Sequence, residues 1–180
     1  HLGLLTVANI IRHDCEVTIE NENIRPIDFD DVPDLVGIAV TVDVLPRAIE
    51  IASIYRQKGV KVIAGGIHIT TASSSVPKDA FDSLCIGFAE NTWPQIIEDM
   101  KHNRLQSEYV SKPLTSGNDI VAPAYDMIDK TDYLWYNVVS TSRSCPHKCD
   151  FCYNSSGTHQ YINRNIDDVL ADIKSLGTKH

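Results

Sequence analysis

Three cysteines lie within eight positions near the end of the chain, in the order Cys145-x3-Cys149-x2-Cys152. Thiolates are soft ligands that favour zinc, copper(I) and iron–sulfur clusters. A cubane iron–sulfur cluster normally takes four cysteines, so three on one loop would leave one iron open to a non-protein ligand. Structural zinc usually uses paired C-x2-C knuckles, of which the sequence has one. In a zinc site, His147 or His159 would be the fourth ligand. The spacing therefore predicts a metal site, with an iron–sulfur cluster favoured over zinc.

This segment resembles the signature of the radical SAM superfamily, C-x3-C-x2-C with an aromatic residue before the last cysteine. Cys145, Cys149, Phe151 and Cys152 match that pattern. The resemblance implies that the three thiolates hold a [4Fe–4S] cluster and that S-adenosylmethionine chelates the open iron. Electron transfer from the cluster, supplied by a donor such as flavodoxin or ferredoxin, would cleave S-adenosylmethionine to a 5′-deoxyadenosyl radical. Phe151 would pack beside the cluster and the adenine, and the protein would position cofactors that perform the chemistry.

The family signature follows the first strand of a (β/α) barrel, which takes about 200 residues or more. Here 28 residues follow Cys152. The run 136–144 predicts a strand, and Asn165 is placed to cap a helix whose apolar face comprises Ile166, Val169, Leu170 and Ile173. We therefore expect a truncated barrel that holds the first strand, the cluster loop and the first helix. Such a piece of a longer protein would be inactive by itself, and its substrate would be a small molecule or a peptide.

The elements in front of the cysteines alternate between strands and helices. The runs 35–42 and 60–66 are almost continuously apolar, which is typical of strands buried on both faces of a sheet. Between them, Asp43 is a plausible N-cap for a helix with an apolar face of Leu45, Ala48, Ile49, Ala52 and Tyr55. A short strand at 84–86 precedes a helical stripe of Trp93, Ile96, Ile97 and Met100. This order predicts an α/β fold with a parallel sheet.

The remaining segments are predicted to be a helix, a strand and two connecting stretches. Residues 3–12 carry apolar residues at helical spacing, and the alternating run 16–20 reads as a strand. The Ser/Thr-rich stretch 70–79 is predicted to be a loop. Residues 103–134, with scattered prolines and glycines, are predicted to be an extended linker.

Residues 2–102 resemble the Rossmann-like, flavodoxin-type cobalamin-binding domain that many radical SAM enzymes carry in front of the barrel. The matching pieces are GLLTVANIIR, LVGIAVTV, VIAGGIHIT and CIGFAENTW. The resemblance implies that the nucleotide tail of cobalamin passes close to the backbone at Gly65 and Gly66. It also implies that Thr41 lines the same crevice at a strand end, and that Glu90 matches the glutamate of a Gly-Glu-x-Glu turn.

The predicted domains are a cobalamin-binding-like domain over 1–125, whose first strand has no counterpart here, and the start of a radical SAM domain over 126–180. The Asp-x-His-x-x-Gly loop that supplies a cobalt ligand in related domains is absent from the sequence. The predicted function is the N-terminal part of a radical SAM iron–sulfur enzyme, in one version a cobalamin-dependent methyltransferase and in another an enzyme that no longer binds cobalamin. The alternative is a non-enzymatic α/β binding or regulatory domain with a structural zinc site.

Composition limits the partners and the compartment. A net charge of −8, with no cluster of Lys and Arg, argues against a nucleic-acid-binding surface. The sequence lacks an apolar run of the ~20 residues that span a bilayer, so no membrane span is expected. Five cysteines, an odd number, without a secretory signal fit a reducing, cytoplasmic setting better than a disulfide framework.

Overall fold

The computed structural model describes residues 2–133, 137–156 and 160–177. They fall into two compact units, Glu20–Lys112 and the combination of His1–Ile19 with Pro113–His180. These units divide the chain at other positions than the predicted domains 1–125 and 126–180, whose boundary stays a prediction. Numbered along the chain, the helices are α1 (Leu2–Ile11), α2 (Leu45–Gln57), α3 (Ile67–Ala72), α4 (Trp93–Lys101) and α5 (Ile166–Ser175). The strands are β1 (Leu35–Ala39), β2 (Lys61–Gly65), β3 (Ser83–Ile86), β4 (Glu108–Val110), β5 (Ser142–Arg143) and β6 (Ile162–Asn163).

The unit Glu20–Lys112 is built on a four-stranded sheet in the order β1-β2-β3-β4, with every neighbouring pair parallel. Gly37 of β1 is in register with Ile63 of β2, and Cys85 of β3 is in register with Tyr109 of β4. Parallel neighbours need crossover connections, which α2, α3 and α4 supply. The predicted α/β class with a parallel sheet is confirmed.

Opposite faces of the sheet are covered by α2 and α4. Val62 and Ala64 pack in one cluster with the buried side of α2, namely Ala48, Ile51, Ala52 and Tyr55. Gly37 instead faces α4, because a Cβ atom built on it would lie 2.8 Å from Cη2 of Trp93. Since side chains alternate along a strand, Ile63 in register with Gly37 points to that same face. Val62, Ile63 and Ala64 are fully buried, as predicted for this strand.

The first strand differs from its prediction. The apolar run 35–42 predicts a strand buried on both faces, but β1 ends at Ala39 and its residues are half-buried or exposed. The reason is position, because in the described sheet β1 has a neighbour on one side only. Val40 is fully buried just beyond the strand, and its N–H donates to the carbonyl of Gly65 at 2.8 Å.

Four local predictions about this part of the chain are wrong. Asp43 does not cap α2, because Val44 occupies the N-cap position and makes no side-chain capping bond. The predicted loop 70–79 begins inside α3. The predicted linker 103–134 contains β4, and the run 16–20 pairs with no strand in the described residues. Short elements such as α3 and β4 carry too few residues to show a period.

The other unit contains α1, the cysteine segment and α5. As predicted, residues 3–12 form a helix, and Leu5 on its buried side packs with Tyr125 and Leu176. Strand β5, which leads into the cysteines, pairs antiparallel with β6. This corrects the prediction of a parallel barrel strand at 136–144, of which residues 134–136 lie outside the described part. Among the described residues no barrel is present.

Helix α5 begins after Asn165, as predicted, although the Asn165 side chain makes no capping bond to it. Its predicted apolar face is not buried within the described chain. Ile166 is 74% exposed, Leu170 45% and Ile173 42%. No helix in the described ranges is long and apolar enough to cross a membrane.

Candidate functional site at the carboxyl edge of the sheet

Four residues predicted to bind a cofactor lie at the ends of neighbouring strands. Thr41 follows β1, Gly65 and Gly66 end and follow β2, and Glu90 follows β3. Because these strands are parallel and adjacent, their carboxyl ends meet at one edge of the sheet. Ligands of open α/β sheets bind outside that edge. The structure therefore brings these four predicted residues to the edge at which such a fold binds ligands.

Gly66 is required by the fold itself. Its φ is +99°, and a Cβ atom there would lie 2.9 Å from both the N and the O of Val40. The backbone is closely packed at this point, since the N–H of His68 donates to the carbonyl of Val40 at 3.1 Å. Residues other than glycine would be strained in this conformation and would also collide with the neighbouring backbone.

At Gly65, unlike at Gly66, the fold has room for a side chain. A Cβ atom on Gly65 would lie 3.5 Å from Cβ of Cys85 and 3.6 Å from its carbonyl oxygen, which is ordinary contact. Its φ is not in the left-handed region. The fold would therefore accept alanine here, so packing does not explain the glycine.

Thr41 and Asp43 form a polar pair at the exit of β1. The Thr41 hydroxyl donates to a carboxylate oxygen of Asp43 at 2.5 Å, and both residues are exposed. This hydrogen bond is the main reason why the pKa of Asp43 lies below its ordinary value. The pair presents a charged acceptor at the sheet edge near neutral pH.

The loop that carries Glu90 is held by bonds from both sides. The N–H of Gly87 donates to the Thr70 hydroxyl at 3.0 Å. The Asn91 side chain donates to the Lys112 carbonyl at 2.9 Å and accepts from the Lys112 N–H at 3.2 Å. Glu90 is half-buried within this loop. Sequence reasoning missed Thr70 and Asn91, because their partners lie 17 and 21 positions away and no local motif marks them.

The cysteine loop lies in the other unit. Cys145 and Cys152 are half-buried, Cys149 is exposed, and the N–H of Cys152 donates to the carbonyl of Cys149 at 3.0 Å. Phe151 is 94% exposed. Three thiols are the donor set that a soft metal prefers. Their positions do not form a ligand set, however, because the described residues contain no group of three or more His, Cys, Asp or Glu side chains that could hold a metal ion. His159 lies outside the described residues.

Three curated proteins are similar to most of this chain. The bacteriochlorophyllide d C-8(2)-methyltransferase of Chlorobaculum tepidum is 31% identical over 163 residues, which cover 87% of the chain and 36% of that protein. An uncharacterized methyltransferase of Pyrococcus horikoshii is 25% identical over 97% of the chain and 45% of its own length. An uncharacterized methyltransferase of Synechocystis is 26% identical over 84% of the chain and 28% of its own length.

The chain thus spans less than half the length of each of these relatives. No family model matches the chain. No solved structure matches it either.

These comparisons correct the predicted class and function. All three relatives are named as methyltransferases, and none is named as a radical SAM or cobalamin-binding protein. The predictions of radical SAM and oxidoreductase chemistry, and of a [4Fe–4S] cluster with cobalamin, are therefore unsupported and are withdrawn. The alternative of a non-enzymatic domain with structural zinc is withdrawn as well, because the relatives are named as enzymes and the described side chains form no such site.

Proposed function

We propose that this chain forms part of a methyltransferase that uses S-adenosylmethionine as methyl donor. The observation that carries the proposal is the 31% identity, over 87% of the chain, to a relative named as a methyltransferase. Overall, such a transfer replaces a hydrogen of the acceptor by the methyl group of S-adenosylmethionine, and S-adenosylhomocysteine and a proton are released. Bacteriochlorophyllide d, the compound in that relative's name, is the first acceptor to test.

The proposed binding site for S-adenosylmethionine is the carboxyl edge of the sheet. Gly65 has no structural need to lack a side chain, which suits a position where a ligand approaches the backbone. The Glu90 carboxylate is an acceptor suited to ribose hydroxyls. Thr41 with Asp43 supplies a further acceptor and a hydroxyl at the next strand end.

The test compares two neighbouring glycines in the purified chain. Gly65→Ala should leave the unfolding midpoint almost unchanged and weaken binding of S-adenosylmethionine at least about tenfold, which corresponds to about 1.4 kcal/mol. Gly66→Ala should instead lower the unfolding midpoint, because of its positive φ and its contact with Val40. Isothermal titration calorimetry measures the affinity, and urea unfolding measures the stability.

Gly3→Ala is the matched control, because a Cβ atom on Gly3 would meet nothing within 4 Å. It should bind S-adenosylmethionine as the wild type does. Glu90→Gln should weaken binding without lowering the unfolding midpoint. Unchanged affinity in both Gly65→Ala and Glu90→Gln would rule out this edge as the binding site.

We also propose that Cys145, Cys149 and Cys152 bind a thiophilic metal ion, against which exposed Phe151 packs. The support is the donor chemistry of three thiols on one short loop, each at least partly exposed to solvent. Metal binding would have to draw the three side chains together. No step of the proposed methyl transfer depends on this metal.

Metal analysis of protein purified without oxygen tests this second proposal. Iron, zinc and acid-labile sulfide are measured together, so that the result identifies the metal. Alanine at any one of the three cysteines should lower the metal content. Cys15→Ala, outside the cysteine loop, is the control and should retain it. A metal-free wild-type protein, or a triple variant that keeps its metal, would contradict the proposal.

A further inference from the structure

The backbone that leads into the cysteine loop is held by hydrogen bonds from residues in distant parts of the chain. The Tyr125 hydroxyl donates to the carbonyl of Val138 at 3.0 Å. Arg164 donates twice, from Nη1 to the carbonyl of Ser140 at 2.9 Å and from its backbone N–H to the carbonyl of Thr141 at 2.9 Å. Three carbonyls within 138–141 are thereby bonded, immediately before β5 and the cysteines.

The groups that make these bonds form one buried network. Nη1 of Arg164 also donates to Oδ2 of Asp172 on α5 at 2.6 Å, and the side chains of these two residues are 1% and 6% exposed. The Tyr125 hydroxyl lies 3.5 Å from the same carboxylate oxygen. Burial, followed by the charge of Asp172, raises the pKa of Tyr125 to about 12, so its hydroxyl stays protonated and able to donate.

A buried ion pair contributes little net stability to a fold. Desolvation of the two charges offsets much of their attraction, and apolar residues of similar volume often stabilise a fold as well or better. Nε of Arg164 is buried without a hydrogen-bond partner among the described residues, which adds to this penalty. An apolar pair could not donate to the carbonyl of Ser140, so that bond is what the ion pair adds.

The turn that follows needs such support. Ser144 has a φ of 60°, in the left-handed region, and it directly precedes Cys145. Residues other than glycine persist in that region when the surrounding structure determines their position. Before the turn, the Ser140 hydroxyl donates to the carbonyl of Ser142 at 2.9 Å and accepts from Nη1 of Arg143 at 3.3 Å. The anchored segment and the turn together set where the cysteine loop begins.

We propose that Arg164, Asp172 and Tyr125 are positioning residues for the cysteine loop. They hold the carbonyls of 138–141 so that, after the strained turn at Ser144, the cysteine loop begins from one backbone position. The consequence for metal affinity rests on the metal site proposed above. The consequence for backbone mobility does not depend on that metal site, so the positioning role and the metal site can be contradicted separately.

The test replaces the whole ion pair, because removal of one partner would leave a buried charge uncompensated. The double variant Arg164→Met/Asp172→Leu should keep the unfolding midpoint close to that of the wild type. Amide hydrogen exchange over 138–149 should become faster, and metal affinity should fall about 10–100-fold, as for other residues that orient metal ligands. The control Glu22→Gln/Arg47→Gln removes an exposed ion pair from the other unit and should change neither quantity.

Tyr125→Phe keeps the ring and removes the bond to Val138, so it should speed exchange near Val138 while the ion pair remains. If the double variant does not fold, the exchange rates of Tyr125→Phe test the positioning role by themselves. A folded double variant with wild-type exchange over 138–149 would overturn the proposal, as would a Tyr125→Phe variant with wild-type exchange at that segment. A wild-type protein that binds no metal would contradict the metal site, and the exchange data would still test the positioning role.

Discussion

At the residue scale, glycines in this sheet differ in what a methyl group would meet. A Cβ atom on Gly37 would lie 2.8 Å from Cη2 of Trp93, a buried indole that cannot move aside without displacing its neighbours. A Cβ atom on Gly65 would meet nothing closer than 3.5 Å. Packing therefore requires a glycine at the position of Gly37 and would accept alanine in place of Gly65.

Gly37→Ala should lower the free energy of unfolding by about 1–3 kcal/mol, the usual effect of overpacking a core. Urea unfolding measures it, with Gly65→Ala as the control that should change little. The double variant Gly37→Ala/Trp93→Phe gives the alanine room, so its loss should be smaller than the sum of the two single losses. Additive losses would mean that Trp93 does not restrict Gly37.

Asp99 makes a second prediction at this scale. It is buried, and it accepts from Nε2 of Gln106 at 2.9 Å, the Tyr109 hydroxyl at 2.9 Å and Nε of Arg104 at 2.8 Å. These bonds, with that from Gln106 the strongest cause, hold the pKa of Asp99 below its ordinary value. The carboxylate joins α4 to β4 through Tyr109.

Because the pKa of Asp99 is lower in the folded chain, its contribution to stability is present above the unfolded pKa and is lost as pH falls through the folded one. We expect Asp99→Asn to lower the urea midpoint near pH 7. The difference from the wild type should stay constant above about pH 5 and shrink as pH falls below about 4. A difference that grows on acidification would show that the carboxylate is not the stabilising form.

At the scale of elements, α4 and α5 show opposite outcomes from similar sequence patterns. Both have apolar residues at helical spacing. On α4, Ile96 is fully buried, whereas on α5, Leu170 is 45% exposed. Periodicity predicted both helices correctly, but it could not say whether another element covers the apolar face.

Ile96→Ala should therefore cost about 2–5 kcal/mol of unfolding free energy, as for other large-to-small changes in a core. Leu170→Ala should stay within about 0.5 kcal/mol of the wild type, because exposed positions contribute little packing. Chemical denaturation of the two variants side by side provides the comparison. Equal losses would show that the α5 face is covered in solution.

At the scale of the whole molecule, the chain forms two compact units, Glu20–Lys112 and the combination of His1–Ile19 with Pro113–His180. Helix α1 belongs to the unit that carries the cysteines, and Leu5 packs with Tyr125 and Leu176 there. The sheet has a separate core within Glu20–Lys112. The two compact units should therefore respond differently to a cavity in α1.

Leu5→Ala should destabilise the unit that contains it by about 2–5 kcal/mol. Native-state hydrogen exchange should show faster exchange in α1 and α5, with the strands of the parallel sheet protected as in the wild type. Ile63→Ala, in the sheet core, is the reciprocal control. Equal loss of protection in both units for either variant would contradict two separate cores.

The sequence predicted much of the fold and part of the candidate site. Continuous apolar runs revealed β2 and β3, and periodicity revealed α1, α2, α4 and α5. Strand β4 was missed because it has three residues, of which Tyr109 alone is buried. The four residues at the sheet edge were identified through a resemblance whose family assignment proved wrong, and their binding role stays a prediction.

The sequence by itself determined the α/β class with its parallel sheet, the helical faces and the crowding of three thiols, because periodicity and spacing are properties of neighbouring residues. The tertiary structure decided that β1 is only half-buried and that Gly66 must lack a side chain. It also decided that Arg164 pairs with Asp172 and bonds to the carbonyl of Ser140, ahead of the cysteine segment. It also decided that α1 joins the later part of the chain, where Asn9 bonds to the carbonyl of Ala122, 113 positions away. Such contacts join segments that are distant in sequence, so no local pattern encodes them.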